Sequence, residues 1–189
     1  MKPSKKSLKE VISVESKLED KNKNKHKHIV SILVYNKAGV LRKIAHLFAR
    51  RGYNINSITV GKSEIPDLVR MIIVVEGEDN TIDQIEKQVY KVIEVYKVSP
   101  ISSNIENRVE REMALVKVKF GGNRQEIYQL VEIFRGKIID VGQEGIIIEI
   151  TGATSKIEAF VDLISKSGKI VEIARTGITA MDRWDVSLK

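Results

Sequence analysis

The chain has 189 residues, a formal net charge of +7 and no cysteine, which excludes a disulfide framework and any thiolate metal site. Residues 1–28 hold nine lysines against four acids, leaving +2 over the other 161, so the basic balance describes one segment and argues against a folded nucleic-acid surface. The longest apolar stretches, Ile29–Tyr35, Met71–Val75 and Gly145–Ile148, are strand-sized and too short to span a bilayer. The N-terminal lysines come without an apolar run or an arginine, so no leader is expected and the expected location is the cytoplasm.

Residues 1–28 read as a polar, basic extension, with a thin apolar stripe of Leu8, Val11, Ile12 and Leu18 that suits a short helix. Ile29–Tyr35 is a β-rich run, and Asn36 is a candidate N-cap for a helix whose apolar positions are Val40, Leu41, Ile44, Ala45, Leu47 and Phe48. Gly52 suits the residue just past the helix end. Tyr53–Val60 reads as a strand, Gly61–Asp67 as a loop, Leu68–Val75 as a strand, Thr81–Val92 as an amphipathic helix and Ile93–Val98 as a closing strand that Pro100 terminates. After a polar linker at 101–109 the order restarts. It runs through strand Ala114–Phe120, helix Arg124–Phe134 ended by Gly136, strand Ile138–Val141, strand Ile146–Ile150 after a turn at Gln143–Gly145, helix Thr154–Ser165 and strand Ile170–Arg175. Residues 181–189 read as a polar tail.

Each half is thus strand–helix–strand–strand–helix–strand, the split β-α-β plait. The expected fold is α+β, with two tandem ferredoxin-like βαββαβ units at 29–103 and 104–180. Two helices cover one face of a four-stranded sheet, and the other face needs a partner where its residues are apolar. Pairing of sheets within a dimer is expected.

The turn Asn36-Lys37-Ala38-Gly39-Val40-Leu41 marks the most informative site. A helix start leaves backbone N–H groups without intrahelical acceptors, its dipole favours negative charge, and a glycine there leaves room for a small carboxylate. Asn54 could offer an amide to a bound ligand, but its strand begins at the end of the sheet away from this turn, so a symmetric partner would have to bring the two together. Val40, Leu41 and Ile55 could supply a small apolar wall.

This turn, together with Leu47-Phe48-Ala49-Arg50-Arg51-Gly52-Tyr53-Asn54-Ile55, resembles the ACT domain of the acetolactate synthase (acetohydroxyacid synthase) regulatory, or small, subunit family. The likeness extends through Val109–Glu112, Leu115–Lys117, Ile133–Val141 and Ile170–Gly177, over about residues 28–180. It implies a noncatalytic partner of a transferase, acting in valine, isoleucine and leucine biosynthesis. Such a subunit raises the activity of a separate catalytic subunit, forms a homodimer and confers feedback inhibition by valine bound between ACT domains. By motif match Asn36, Gly39, Val40 and Leu41 would line the valine pocket from one chain, with Asn54 and Ile55 from the other. The resemblance implies no cofactor on this chain, and thiamine diphosphate, magnesium and FAD on the catalytic subunit. The segment at 1–27 lies outside the pattern.

Other residues suggest less. His26 and His28 sit in the lysine-rich segment, and His46 shares a basic helix face with Arg42, Lys43 and Arg50. Glu110, Arg111 and Glu112 suit a salt-bridged domain junction, and Arg135 and Asp140 suit structural ion pairs. No nucleophile–base–orienter set is present. The alternative of an RNA-binding plait would stack bases on aromatics of the central strands, and Leu68–Val75 has none. A phosphoryl or acyl-phosphate hydrolase on the same plait would need a cation in the first turn, where Lys37 stands alone.

Overall fold

The computed structural model describes residues 26–78, 81–122 and 124–184. Strand β1 (His26–Tyr35) leads through a turn into helix α1 (Val40–Arg50), followed by β2 (Ile55–Lys62), β3 (Leu68–Gly77), helix α2 (Thr81–Val89) and β4 (Val95–Ile101). A 3-10 turn (Ile105–Asn107) precedes β5 (Arg108–Phe120), helix α3 (Arg124–Ile133), β6 (Lys137–Val141), β7 (Gly145–Gly152), helix α4 (Thr154–Ser167), β8 (Gly168–Arg175) and β9 (Thr179–Asp182). The sheets run β2-β3-β1-β4 and β6-β7-β5-β8, so the two halves are wound identically, as two ferredoxin-like units. Every neighbouring pair is antiparallel.

Alternation decides which face each strand buries. In the first unit Val30, Ile32 and Val34 of β1 and Val69, Met71, Ile73 and Val75 of β3 pack against Ile44 and Phe48 of α1 and Ile85 and Val89 of α2. In the second, Ala114, Val116 and Val118 meet Ile127, Val131, Ile157, Phe160 and Ile164 in the same way.

Helix α1 ends as Gly52 predicts: Gly52 has φ +72, its N–H donates to Ala49, and the Tyr53 N–H donates to Phe48. This satisfies the last carbonyls of the helix and brings the Tyr53 ring edge-on to Phe48.

Several expectations fail for local reasons. The basic extension does not run to residue 28, because β1 begins at His26 and His28 lies opposite Val75. Residues 1–25, including the suggested helix, lie outside the described residues, as do 185–189. Asn36 is not the N-cap. Its N–H bonds the Asp67 carbonyl and prolongs the β1–β3 pairing, and α1 is capped by Gly39 three residues later. Pro100 does not end β4 but sits within it, opposite Val30, which an edge strand tolerates because one side of its backbone needs no partner. The left-handed residue after α3 is Arg135 (φ +51), not Gly136. Gly136 answers to space, since a Cβ there would lie 3.3 Å from the Glu149 carbonyl and the Val131 and Ile148 side chains.

The largest departure is at the C-terminal end. Thr179–Asp182, partly inside the expected tail, is a strand paired with the first half of β5. Just before it, Ile178 joins Ala180 on the helix-free face of the first sheet, where both are buried against Ile29, Ile72, Val74 and Ile101. The chain therefore covers part of that face itself.

Candidate functional site

The turn after β1 is built around Gly39, whose φ of +84 is costly for any residue with a Cβ. A Cβ placed there would meet nothing within 4 Å, so the space above the glycine is open. Helix α1 has no side-chain cap and no acidic residue in its first turn. The Val40 N–H donates to the Lys37 carbonyl, whereas among the described residues the N–H groups of Ala38, Gly39, Leu41 and Arg42 have no acceptor. Unpaired donors at the positive end of a helix, with open space before them, are suited to a carboxylate.

The side chains around the turn divide into two groups. Asn36 and Leu41 are exposed, Leu41 at 46%, whereas Val40 is buried in the core and can offer the site only its backbone. Ile55 also packs against the core, partly buried, and Asn54 is exposed just before β2.

Within one chain these residues do not come together. Tyr35, before the turn, faces Leu68 at the start of β3, whereas Ile55 and His28 both face Val75 near its end. The seven-residue offset along β1, about 23 Å of strand, puts the turn and Asn54 at opposite ends of the sheet.

Beside the turn stands a charged pair that sequence reasoning missed. Lys43, on the second turn of α1, donates to Glu94 Oε1 at 2.5 Å, while the Glu94 carbonyl accepts from the Tyr35 N–H. The lysine hydrogen bond holds the Glu94 carboxyl below its ordinary value, and the other carboxylate oxygen is buried without a partner among the described residues. Nothing in the local sequence signals the pair, because its members are 51 residues apart.

A second polar region lies between the two units. Glu112, 5% exposed, takes two hydrogen bonds from Arg175, from Nε at 2.7 Å and Nη2 at 2.6 Å, and this pairing raises the Arg175 guanidinium above its ordinary value. The expected salt-bridged junction at Glu110–Glu112 takes another form: Glu112 pairs with Arg175 and Glu110 with Arg108, and both pairs lie within the second unit. A cavity of about 410 Å³ is lined by Glu112 and Arg175 and by Ser57 and Val74 of the first unit.

His28 is held at 3.1 Å from the Gly77 carbonyl, and no group of three or more metal-ligating side chains occurs among the described residues. No helix among them is long and apolar enough to cross a membrane. The RNA-binding alternative loses its surface, because the outer face of β1 and β3 presents Ile29, Ile72 and Val74 beneath Ile178 and Ala180.

Comparison with known proteins decides the family. Residues 30–97 match the model of the AHAS small subunit-like ACT domain, and residues 111–184 match that of the small subunit of acetolactate synthase. The chain belongs to the acetolactate synthase small-subunit family. It is 49% identical over 158 residues to a "Probable acetolactate synthase small subunit" of Archaeoglobus fulgidus, covering 83% of this chain and 97% of the relative. It is 40% identical over 160 residues to the acetolactate synthase isozyme 3 small subunit of Escherichia coli K12, covering 84% and 97%. The crystal structure of the acetolactate synthase small subunit from Thermotoga maritima superposes with a TM-score of 0.81 at 66% identity, covering 84% of this chain and 98% of that one. As a small subunit the chain is a regulatory partner of a catalytic subunit, and its first unit is an ACT domain.

Proposed function

We propose that this small subunit senses valine and adjusts the activity of its catalytic subunit accordingly, as a feedback device in branched-chain amino-acid biosynthesis. Two copies pair so that the Gly39 turn of one protomer meets Asn54 and Ile55 of the other, and valine binds between them. The observation that carries this reading is the separation of the two half-sites. One end of the sheet exposes unpaired N–H donors, the other exposes an amide, and about 23 Å of strand lies between them. Two-fold pairing places unlike ends together twice, giving two equivalent pockets.

Valine fits the chemistry of such a pocket. Its carboxylate takes the N–H groups of Ala38, Gly39 and Leu41, the amide oxygen of Asn54 accepts from its ammonium, and Leu41 and Ile55 bound its side chain. Leucine and isoleucine differ from valine by one methylene, worth about 1–3 kcal/mol, so discrimination is graded. The transferase active site, with thiamine diphosphate, magnesium and FAD, belongs to the catalytic subunit, and both subunits work in the cytoplasm.

Calorimetric titration of the isolated chain with valine, leucine and alanine, beside sedimentation of the same sample, tests this. A dimer that binds valine more tightly than alanine is expected. A monomer, or a dimer indifferent to all three, would refute it.

A further inference from the structure

We infer that the segment Thr176–Asp182 is the strap that transmits effector occupancy to the second unit, and that Ser57 and Thr59 are the positioning residues that hold it. The inference rests on the valine reading above and adds the route by which that site is felt elsewhere.

The route begins at β2. Ile55 lies opposite Val75 but Ser57 lies opposite Val74, so Asn56 is an extra residue, a bulge. Without it Ser57 would face the helices. With it, Ser57 and Thr59 share the outer face with Val74 and Ile72. The bulge immediately follows Asn54 and Ile55, so anything that repositions those two acts first on the aim of Ser57.

The two hydroxyls grip the backbone of one strap residue, Ile178, from its N–H and its carbonyl. The Ile178 N–H donates to Ser57 Oγ at 2.9 Å, and Thr59 Oγ1 donates to the Ile178 carbonyl at 3.3 Å. Gly177, at φ +83, makes the approach possible, because a Cβ there would stand 2.5 Å from Ser57 Oγ. The Ile178 side chain is buried on the first sheet.

The same segment is tied to the second unit on both sides of this grip. The Thr176 N–H donates to the Met113 carbonyl at 3.0 Å and the Met113 N–H to Thr176 Oγ1 at 3.1 Å. Residues 179–182 pair with Arg108–Arg111, the first part of the strand that then runs through the middle of the second sheet. Asp182 Oδ1 also accepts from the Ser102 N–H at 2.8 Å. The strap is therefore fixed to β5, and it is held to the first unit by two hydroxyls of β2, by the Ser102 N–H, and by Ile178 and Ala180 packed on Ile29, Ile72, Val74 and Ile101. The cavity behind it, bounded by Ser57, Val74, Glu112 and Arg175, leaves room for it to shift. Closely packed interiors do not offer such room.

The test uses the full chain reconstituted with its catalytic subunit and L-valine as the probe. The double variant Ser57→Ala, Thr59→Val should bind valine within about twofold of wild type by calorimetry, yet need about tenfold more valine to inhibit the complex, within the usual range of allosteric coupling. Equal binding with unchanged inhibition would overturn the strap while leaving the valine site standing. Failure of the unmodified chain to bind valine would sink both. Should the variant not fold, amide exchange on the unmodified chain decides. Valine should change protection at Ile178 about tenfold, and unchanged exchange across 176–182 in the valine-saturated chain would overturn the strap.

Discussion

Replacing Gly39 by aspartate separates the cost to the fold from the cost to the ligand. A side chain at φ +84 costs about 1–2 kcal/mol of left-handed strain, and nothing lies within 4 Å of the new Cβ to add a clash. For a chain of this length that stability loss lowers the melting temperature by about 2–8 °C. The ligand loses more. A carboxylate beside the unpaired N–H groups of Ala38 and Leu41 takes donors meant for the effector, and each charge-assisted hydrogen bond is worth about 1.5–3 kcal/mol. Losing one of them at about 2 kcal/mol already weakens binding about 30-fold, and like-charge repulsion adds to it. Gly39→Ala serves as the control, carrying the strain without the charge. Calorimetry with valine, beside a thermal melt of each variant, reads both quantities, and the aspartate chain should still activate its catalytic subunit. Aspartate and alanine variants with the same valine affinity as wild type would refute the placement of a carboxylate at this turn.

Other outcomes follow from the same structure. Glu112→Ala leaves Arg175 without its partner, and because the guanidinium side is 36% exposed the loss should be about 2 kcal/mol, below the cost of breaking a wholly buried pair, as urea unfolding would read. Phe48→Ala empties a fully buried ring site and should cost about 3–5 kcal/mol by the same measurement. Glu94 has a folded-state pKa below the ordinary value of about 4.5, so its pair with Lys43 stabilises the chain above that pH and is lost as the pH falls through the lowered value. A series of melts between neutral and acid pH should show a shallower acid loss for Glu94→Gln than for wild type. A chain ending at Ser103 lacks Ile178 and Ala180 and uncovers Ile29, Ile72, Val74 and Ile101, so it should bind a hydrophobic dye or self-associate where the full chain does not.

Local patterns carried most of the fold. Strand alternation, the apolar spacing of α1 and the glycine after it are written in contiguous residues, and the repeated order of elements implied two identically wound units. What escaped depends on partners distant in sequence. Ile178 and Ala180 make too short an alternation to announce a buried strand, and their burial depends on a face formed by residues 29, 72, 74 and 101. Asn36 suited an N-cap by type, but its N–H extends the β1–β3 pairing to the Asp67 carbonyl just before β3, and the helix starts later, at Gly39. The bulge at Asn56 is a register choice between two strands, and the residues of β2 alone do not reveal that Ser57 faces outward. At the candidate site, the turn and its glycine were legible from residue type and position. The burial of Val40 and the Lys43–Glu94 pair were not, because both arise from packing between elements.

A structure of the full chain crystallised with valine bears most directly on the shared pocket. The amino acid should lie between two protomers, its carboxylate on the N–H groups at Gly39 of one and its ammonium near Asn54 of the partner subunit. Valine found within a single protomer, or a Gly39 turn already covered by protein atoms in the dimer, would contradict it.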